Sequence, residues 1–333
     1  MSIILAIESS CDETACAIVS NESDLLSNVV SSQIDVHAKF GGVIPEVASR
    51  IHVENITLVI QEALTKANLT IEDIDAIAVT YGPGLIGSLH VGVQAAKTIA
   101  WAYQKPLIPV HHIKGHIFAN KLVKPLIFPL ISLVISGGHT ELVYMENETS
   151  FQILGTTQDD AIGEAYDKVA RVLGLPYPGG PQIDRLAKQG KMNYPLPTPK
   201  TENPLDFSFS GLKSAVLQLI QREKRNANEL IDADVAYAFQ ETALKMLIDK
   251  SNLAIRQYQP KQFVLAGGVA ANSRLRELMS ENHQQYPNID LILPPLSCCT
   301  DNAAMIAISG AVSYKYYHFA DLSLTATSSI DLE

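Results

Sequence analysis

The stretch "IILAIESSCDETACAIV", residues 3–19, runs from apolar residues through a turn of small and polar ones into a second apolar run. That pattern reads as strand, tight turn, strand, with Ser9 and Ser10 at the bend. It returns at residues 130–145 as "LISLVISGGHTELVYM". A second pair of matching stretches is "DAIAVTYGPGLIGSLHVGVQAAKTIAW" (75–101) and "QFVLAGGVAANSRLRELM" (262–279). Each reads as a strand, a Gly-rich loop and a helix whose apolar positions fall three to four apart. A hairpin followed later by a strand–loop–helix unit thus occurs in both halves, which indicates a duplicated architecture. The expectation is an α/β chain of two similar lobes around a nucleotide cleft, residues 1–128 and 129–325. A largely helical insertion is expected in the second lobe at about 158–258, from the periodicity of residues 161–175 and 232–258 on either side of a proline-punctuated loop.

Composition narrows the class. Residues of hydrophobic type make up 47% and charged ones 18%, which suits packed domains rather than a disordered chain. Cys11, Cys16, Cys298 and Cys299 show no CxxC spacing and read as reduced thiols. "MSIILAIESS" has no cationic leader region, and no apolar run approaches the length of a membrane span. The expectation is a soluble, cytoplasmic protein with no membrane contact. A net charge of −10 argues against gripping nucleic acid by bulk electrostatics. The charge is uneven, however. No acidic residue falls between Asp75 and Glu141, where Lys97, Lys105, Lys114, Lys121 and Lys124 do, and a second basic segment runs from Arg185 to Arg225.

Three turns rich in small residues, "ESSCDET" (8–14), "SGGHT" (136–140) and "GGVAAN" (267–272), each follow an apolar strand. Successive backbone N–H groups in such turns make an anion nest, and three of them at strand ends point to a nucleotide. The histidines in "HHIKGH" (111–116) are ambiguous on their own. His112 and His116 are four apart, so on a helix they share a face and can reach one metal. The motif lacks the glutamate of an HExxH metalloprotease, and Gly115 is a weak helix former. Asp301 is a possible third ligand, though an Asp at that place more often caps a helix. Glu164, Asp167 and Lys168 fall on one helical turn ahead of Asp184, as a solvated face or as groups reaching ribose or substrate hydroxyls.

Together, "ESSCDET", "HHIKGH", "ISGGHTELV", "GEAYDKVARVLGLPYPGGP", "SFSGLK", "AGGVAAN" and "CTDNAAMIA" resemble the TsaD family of bacterial tRNA adenosine threonylcarbamoyltransferases, from Ile4 to about Leu322. The resemblance implies a duplicated actin/Hsp70/hexokinase-like (ASKHA) fold. It implies transfer of a threonylcarbamoyl group from threonylcarbamoyl-AMP to the exocyclic N6 amine of the adenosine beside the anticodon, in tRNAs reading ANN codons. It assigns His112, His116 and Asp301 as ligands of one divalent metal ion per subunit, Fe2+ ahead of Zn2+. Ile135, Ser136, Gly137, Gly138, His139, Asp167, Gly180, Asp184 and Asn272 match positions that hold the adenylate. Lys114 stands in a slot that varies in the family, often acidic or small; it leaves the ligand assignment intact and adds a positive charge beside the metal motif. Asp12 and Glu13 are candidates for the catalytic base, Asp12 preferred. Implied partners are tRNA, a TsaB-like paralogous subunit and a TsaE-like ATPase. The competing readings are a small-molecule kinase of the same fold, a metallopeptidase, and a catalytically inert scaffold of a tRNA-modification complex.

Overall fold

The computed structural model describes residues 2–332. In chain order it holds β1 (Ile3–Glu8), β2 (Glu13–Ser20), β3 (Asp24–Ser32), α1 (Ile34–Ala38), α2 (Pro45–Ala67), β4 (Ala76–Gly82), α3 (Ile86–Ala102), β5 (Leu107–His111) and α4 (His112–Phe118). The second half holds β6 (Leu130–Ile135), β7 (Thr140–Asn147), β8 (Ser150–Thr156), α5 (Ile162–Val172), α6 (Gly179–Ala187), α7 (Ser210–Arg225), α8 (Asp232–Tyr258), β9 (Gln262–Ala266), α9 (Ser273–His283), β10 (Asp290–Ile292) and α10 (Ala303–Lys315).

The strands form two five-stranded sheets, β3-β2-β1-β4-β5 and β8-β7-β6-β9-β10. In each, an antiparallel three-strand meander is continued by two strands parallel to the first. The register makes the correspondence residue by residue. Ile4 pairs with Ala76 and Ile7 with Val79, while Ile131 pairs with Phe263 and Val134 with Ala266. The duplicated α/β fold expected from the sequence is therefore present in the hydrogen bonding. The third strand of each meander, β3 and β8, has no counterpart in the sequence reading. These edge strands carry a mixed, half-exposed pattern rather than a continuous apolar run.

The chain divides into two compact units, residues 1–126 with 300–333, and residues 127–299. The expected second lobe extended to 325, so residues 300–325 change sides. The physical reason is α10. Its residues Ala303–Val312 are all buried, as befits a helix apolar on every side. It packs on β1, β2, β4 and β5 and against α4, while α2 and α3 pack on the same sheet's strands and on each other. Gly310 lets α10 approach the sheet closely, since a Cβ there would stand 2.6 Å from that of Ala78. Covered in this way, β1, β2 and β4 are buried along nearly their whole length, which accounts for their unbroken apolar runs. The tail then returns along the same unit. Ala320 N–H donates to Leu107 O and Thr327 N–H to Tyr81 O, each at 2.8 Å.

In the second unit the insertion is helical as expected. The core is built from β6, β7 and β9 with the inner faces of α5 to α8, including Tyr166 and Phe239, and with Phe207 and Phe209 from the segment before α7. Among the described residues no helix is long and apolar enough to cross a membrane.

One carboxylate is out of place in this packing. Glu141, early in β7, has a buried Oε2 without a hydrogen-bond partner, and burial pushes its pKa up from 4.5 to about 7. A carboxyl raised on folding contributes fully below its unfolded pKa and loses that contribution as pH rises through the folded value. We expect Glu141→Gln to leave stability near wild type at pH 4.5 and to raise it by up to about 3 kcal/mol above pH 7, measured by urea unfolding. A difference independent of pH would contradict this.

Candidate metal centre and substrate-binding turns

The histidine motif begins where β5 ends. His111 caps α4, with Nδ1 accepting from Ile113 N–H at 3.1 Å, and its Nε2 lies 3.3 Å from Ile330 O of the returning tail. It therefore has a structural role. His112 and His116 follow one helical turn apart on the buried side of α4, their ring centroids 4.7 Å apart at 84°. Gly115 does not end the helix. A Cβ there would stand 2.8 Å from Ile306 Cδ1, so the glycine lets α4 lie close against α10. That contact sets the third group. The N-cap of α10 is Asn302, whose Oδ1 accepts from Met305 N–H at 3.2 Å. Capping is thus done by the neighbour, and Asp301 turns to the histidines. Its Oδ1 lies 3.1 Å from His116 Nε2 and 3.6 Å from His112 Nε2.

One ligand atom from each of His112, His116 and Asp301 falls within 4.8 Å of the others. Both ring nitrogens of buried His116 lack a hydrogen-bond partner, because the approach of Asp301 is an electrostatic contact without hydrogen-bond alignment. An orphaned imidazole beside a second imidazole and a carboxylate fits a metal site. Two histidines and one carboxylate with open positions suit Fe2+ or Zn2+.

The surrounding electrostatics are strongly coupled. Burial works against the imidazolium of His112, but the carboxylates of Asp301 and Glu8 outweigh it and raise the pKa to about 9. Burial alone would raise Glu8, yet the charge and hydrogen bond of His112 hold it below its usual range. Glu13 has no such cation. Burial, then the charges of Asp301 and Asp12 and a hydrogen bond with Asp12, push it far above the usual carboxylate range, so it keeps its proton at neutral pH. Asp12 and Glu13 are both buried, at the turn joining β1 to β2. The turn is clamped by His52 of α2, whose Nε2–H donates to Cys11 O at 2.9 Å while Nδ1 accepts from Thr14 Oγ1 at 2.8 Å.

The remaining candidates lie in the second unit, around the carboxyl ends of β6 and β9. Ser136 and His139 close a four-residue turn, Ser136 N–H donating to His139 O at 2.8 Å and His139 N–H to Ser136 Oγ at 3.1 Å. Gly137 and Gly138 at its tip are exposed. Ile135 is fully buried, so its side chain belongs to the core and only its backbone borders the turn. The start of α5 is drawn to this turn by Gly163 N–H, which donates to Ser136 O at 3.3 Å. Asp167 Oδ1 accepts from Gly179 N–H at 2.7 Å and so fixes the corner that carries Gly180. Asp184 Oδ2 accepts from Ser273 Oγ at 2.7 Å, while its buried Oδ1 has no partner. Asn272 caps α9, accepting from Leu275 N–H, and its Nδ2 donates to Gln240 Oε1, both at 2.9 Å.

The sequence reading missed Glu8, Thr80 and His52. For Glu8 a signal was available, a lone carboxylate closing an apolar strand where the matching strand of the second half ends on Ile135. Thr80 and His52 carried none, since their partners lie 72 and 38 residues away in sequence.

The α4–α10 contact yields a direct test. Gly115→Val forces Ile306 aside, and we expect a stability loss of about 1–3 kcal/mol with weaker Zn2+ binding by calorimetry. Unchanged metal affinity in the folded variant would show that this contact does not position Asp301.

Comparisons with known proteins place the chain in a family. The family model "TsaD: tRNA N6-adenosine threonylcarbamoyltransferase" matches residues 24–308. A Bacillus cereus protein named tRNA N6-adenosine threonylcarbamoyltransferase is 56% identical over 332 residues, 99% of this chain and 97% of that protein. A Bacillus subtilis protein of the same name is 55% identical over 94% of this chain and 90% of its own length. Among solved structures, HypF from T. kodakarensis superposes with a TM-score of 0.66 at 15% identity, over 95% of this chain and 48% of that one, a likeness of fold alone. With the family model spanning most of the chain and relatives this similar over nearly all of it, the chain belongs to the TsaD family of tRNA N6-adenosine threonylcarbamoyltransferases.

Proposed function

We propose that this transferase moves the threonylcarbamoyl group of threonylcarbamoyl-AMP to the N6 amine of the adenosine beside the anticodon in tRNAs reading ANN codons. The observation that carries the reading is the convergence of His112, His116 and Asp301 on one point in a chain of this family. These residues hold one divalent ion, Fe2+ in preference to Zn2+, in keeping with two imidazoles and one carboxylate. When bound, such an ion supplies positive charge for the carbamoyl carbonyl or the acyl phosphate. A kinase of this fold has no use for that donor set, and an inert scaffold has no need of it.

The second unit holds the adenylate. The exposed backbone of Gly137 and Gly138 offers N–H groups to the phosphate. Asp167, Gly180, Asp184 and Asn272 take the nucleoside, with the unpartnered Oδ1 of Asp184 suited to accept from a ribose hydroxyl. In the reaction the N6 nitrogen bonds to the carbamoyl carbon, the bond from that carbon to the phosphate oxygen breaks, and AMP leaves. The N6 proton passes to Asp12. Glu13 keeps its own proton and hydrogen-bonds Asp12, which supports Asp12 as the acceptor and Glu13 as its orienting neighbour.

The chain acts in the cytoplasm with a TsaB-like subunit and a TsaE-like ATPase. An apolar groove between α2 and α3, lined by Val53, Ile60, Val91, Ala95 and Ile99, supports a protein partner on the first unit. The net charge of −10 supports dependence on such partners for holding tRNA.

The test is threonylcarbamoyl transfer to tRNA in the reconstituted assembly. We expect metal-loaded Asp12→Asn to keep its metal but lose about 10²–10⁴-fold in kcat. His116→Ala should lose both metal and turnover. Full turnover by Asp12→Asn sinks the base assignment, and ATP-dependent phosphorylation of a small molecule would replace the function.

A further inference from the structure

Glu8 is the one charged residue of β1 and is wholly buried, as is Thr80, which packs beside it from β4. Its contacts account for both oxygens. Oε1 accepts from Ser10 N–H, and Oε2 accepts from Thr80 Oγ1 at 2.6 Å and lies 3.2 Å from His112 Nδ1. The same ring nitrogen is 3.1 Å from Ser10 Oγ. The other ring nitrogen, Nε2, points the opposite way, 3.6 Å from Asp301 Oδ1, the oxygen that also neighbours His116 Nε2. A buried carboxylate is costly unless it performs a compensating electrostatic task. In the matching strand of the second unit the equivalent residue is the apolar Ile135.

We propose that Glu8 is a positioning residue for the metal ligand His112: it accepts the Nδ1 proton and thereby presents the Nε2 lone pair toward His116 and Asp301. This rests on the metal reading given above. An imidazole that ligates a metal has given up the proton of its ligating nitrogen and keeps one on the other, and an ionised carboxylate only accepts, so the Glu8 contact selects the Nδ1–H form. Ser10 Oγ alone cannot select it, because a hydroxyl can donate or accept. Thr80 and the Ser10 amide hold the carboxylate in place, forming a carboxylate–histidine–metal relay from residues of β1, β4 and α4. An amide at this place reverses the logic. In Glu8→Gln, an NH2 group at the Oε2 position donates to Nδ1 and moves the ring proton to Nε2, the nitrogen that faces the metal. With the amide turned the other way, its NH2 group opposes the Ser10 N–H.

The test is binding of Co2+ by the full chain, followed by visible absorption, together with two-bond 1H–15N spectra of the Zn2+-loaded wild type, assigned with His112→Ala. We expect the Kd for Co2+ to rise about 10–100-fold in Glu8→Gln and less in Glu8→Asp, which retains the carboxylate. In the wild-type spectrum His112 should carry its proton on Nδ1 and the metal on Nε2. Metal on His112 Nδ1, or wild-type Co2+ affinity in Glu8→Gln, overturns the role of Glu8 and leaves the metal site standing. A wild type that binds neither ion overturns both. If Glu8→Gln does not fold, the wild-type spectrum alone decides.

Discussion

The packing of α10 against the first sheet and α4 is the constraint on which the rest depends. An apolar helix from near the end of the chain is buried beneath strands from its beginning, and Gly115 and Gly310 remove the side chains that would hold it off. Because Asn302 takes the capping position, the residue before it is delivered to the histidines of α4. The convergence of His112, His116 and Asp301 is thus a consequence of core packing. It sits at the carboxyl ends of parallel strands, where α/β sheets generally place their ligands.

The second unit applies the same topology to different chemistry. At the end of its first strand stands Ile135 in place of Glu8, followed by a turn of Ser and Gly in place of one bearing Asp12 and Glu13. One copy gathers carboxylates and imidazoles with strongly displaced protonation. The other places the exposed glycines Gly137 and Gly138 at a tight turn after its first strand. A shared backbone plan thus carries divergent strand-end residues in its two halves.

Much of this was legible in the sequence for identifiable reasons. The hairpins of β1–β2 and β6–β7 showed because β1, β2 and β6 are buried along nearly their whole length and so carry long apolar runs on either side of a turn of small residues. The long helix α8 was visible at both ends because its apolar spacing persists over 27 residues. The pairing of His112 with His116 followed from the helical repeat. The return of residues 300–333 to the first unit was hidden, since no local pattern records which sheet an apolar helix will cover. β3 and β8 were hidden because an edge strand is half exposed and loses the apolar signature. The capping of α10 by Asn302 rather than Asp301 depended on a single residue of phase.

Anomalous diffraction at the metal absorption edge, from crystals of the chain loaded with Fe2+ or Zn2+, tests the account most directly. It predicts one strong peak bonded to Nε2 of His112, Nε2 of His116 and the carboxylate of Asp301. A peak elsewhere, at Cys298 and Cys299 for example, or ligation of His112 through Nδ1, would contradict it.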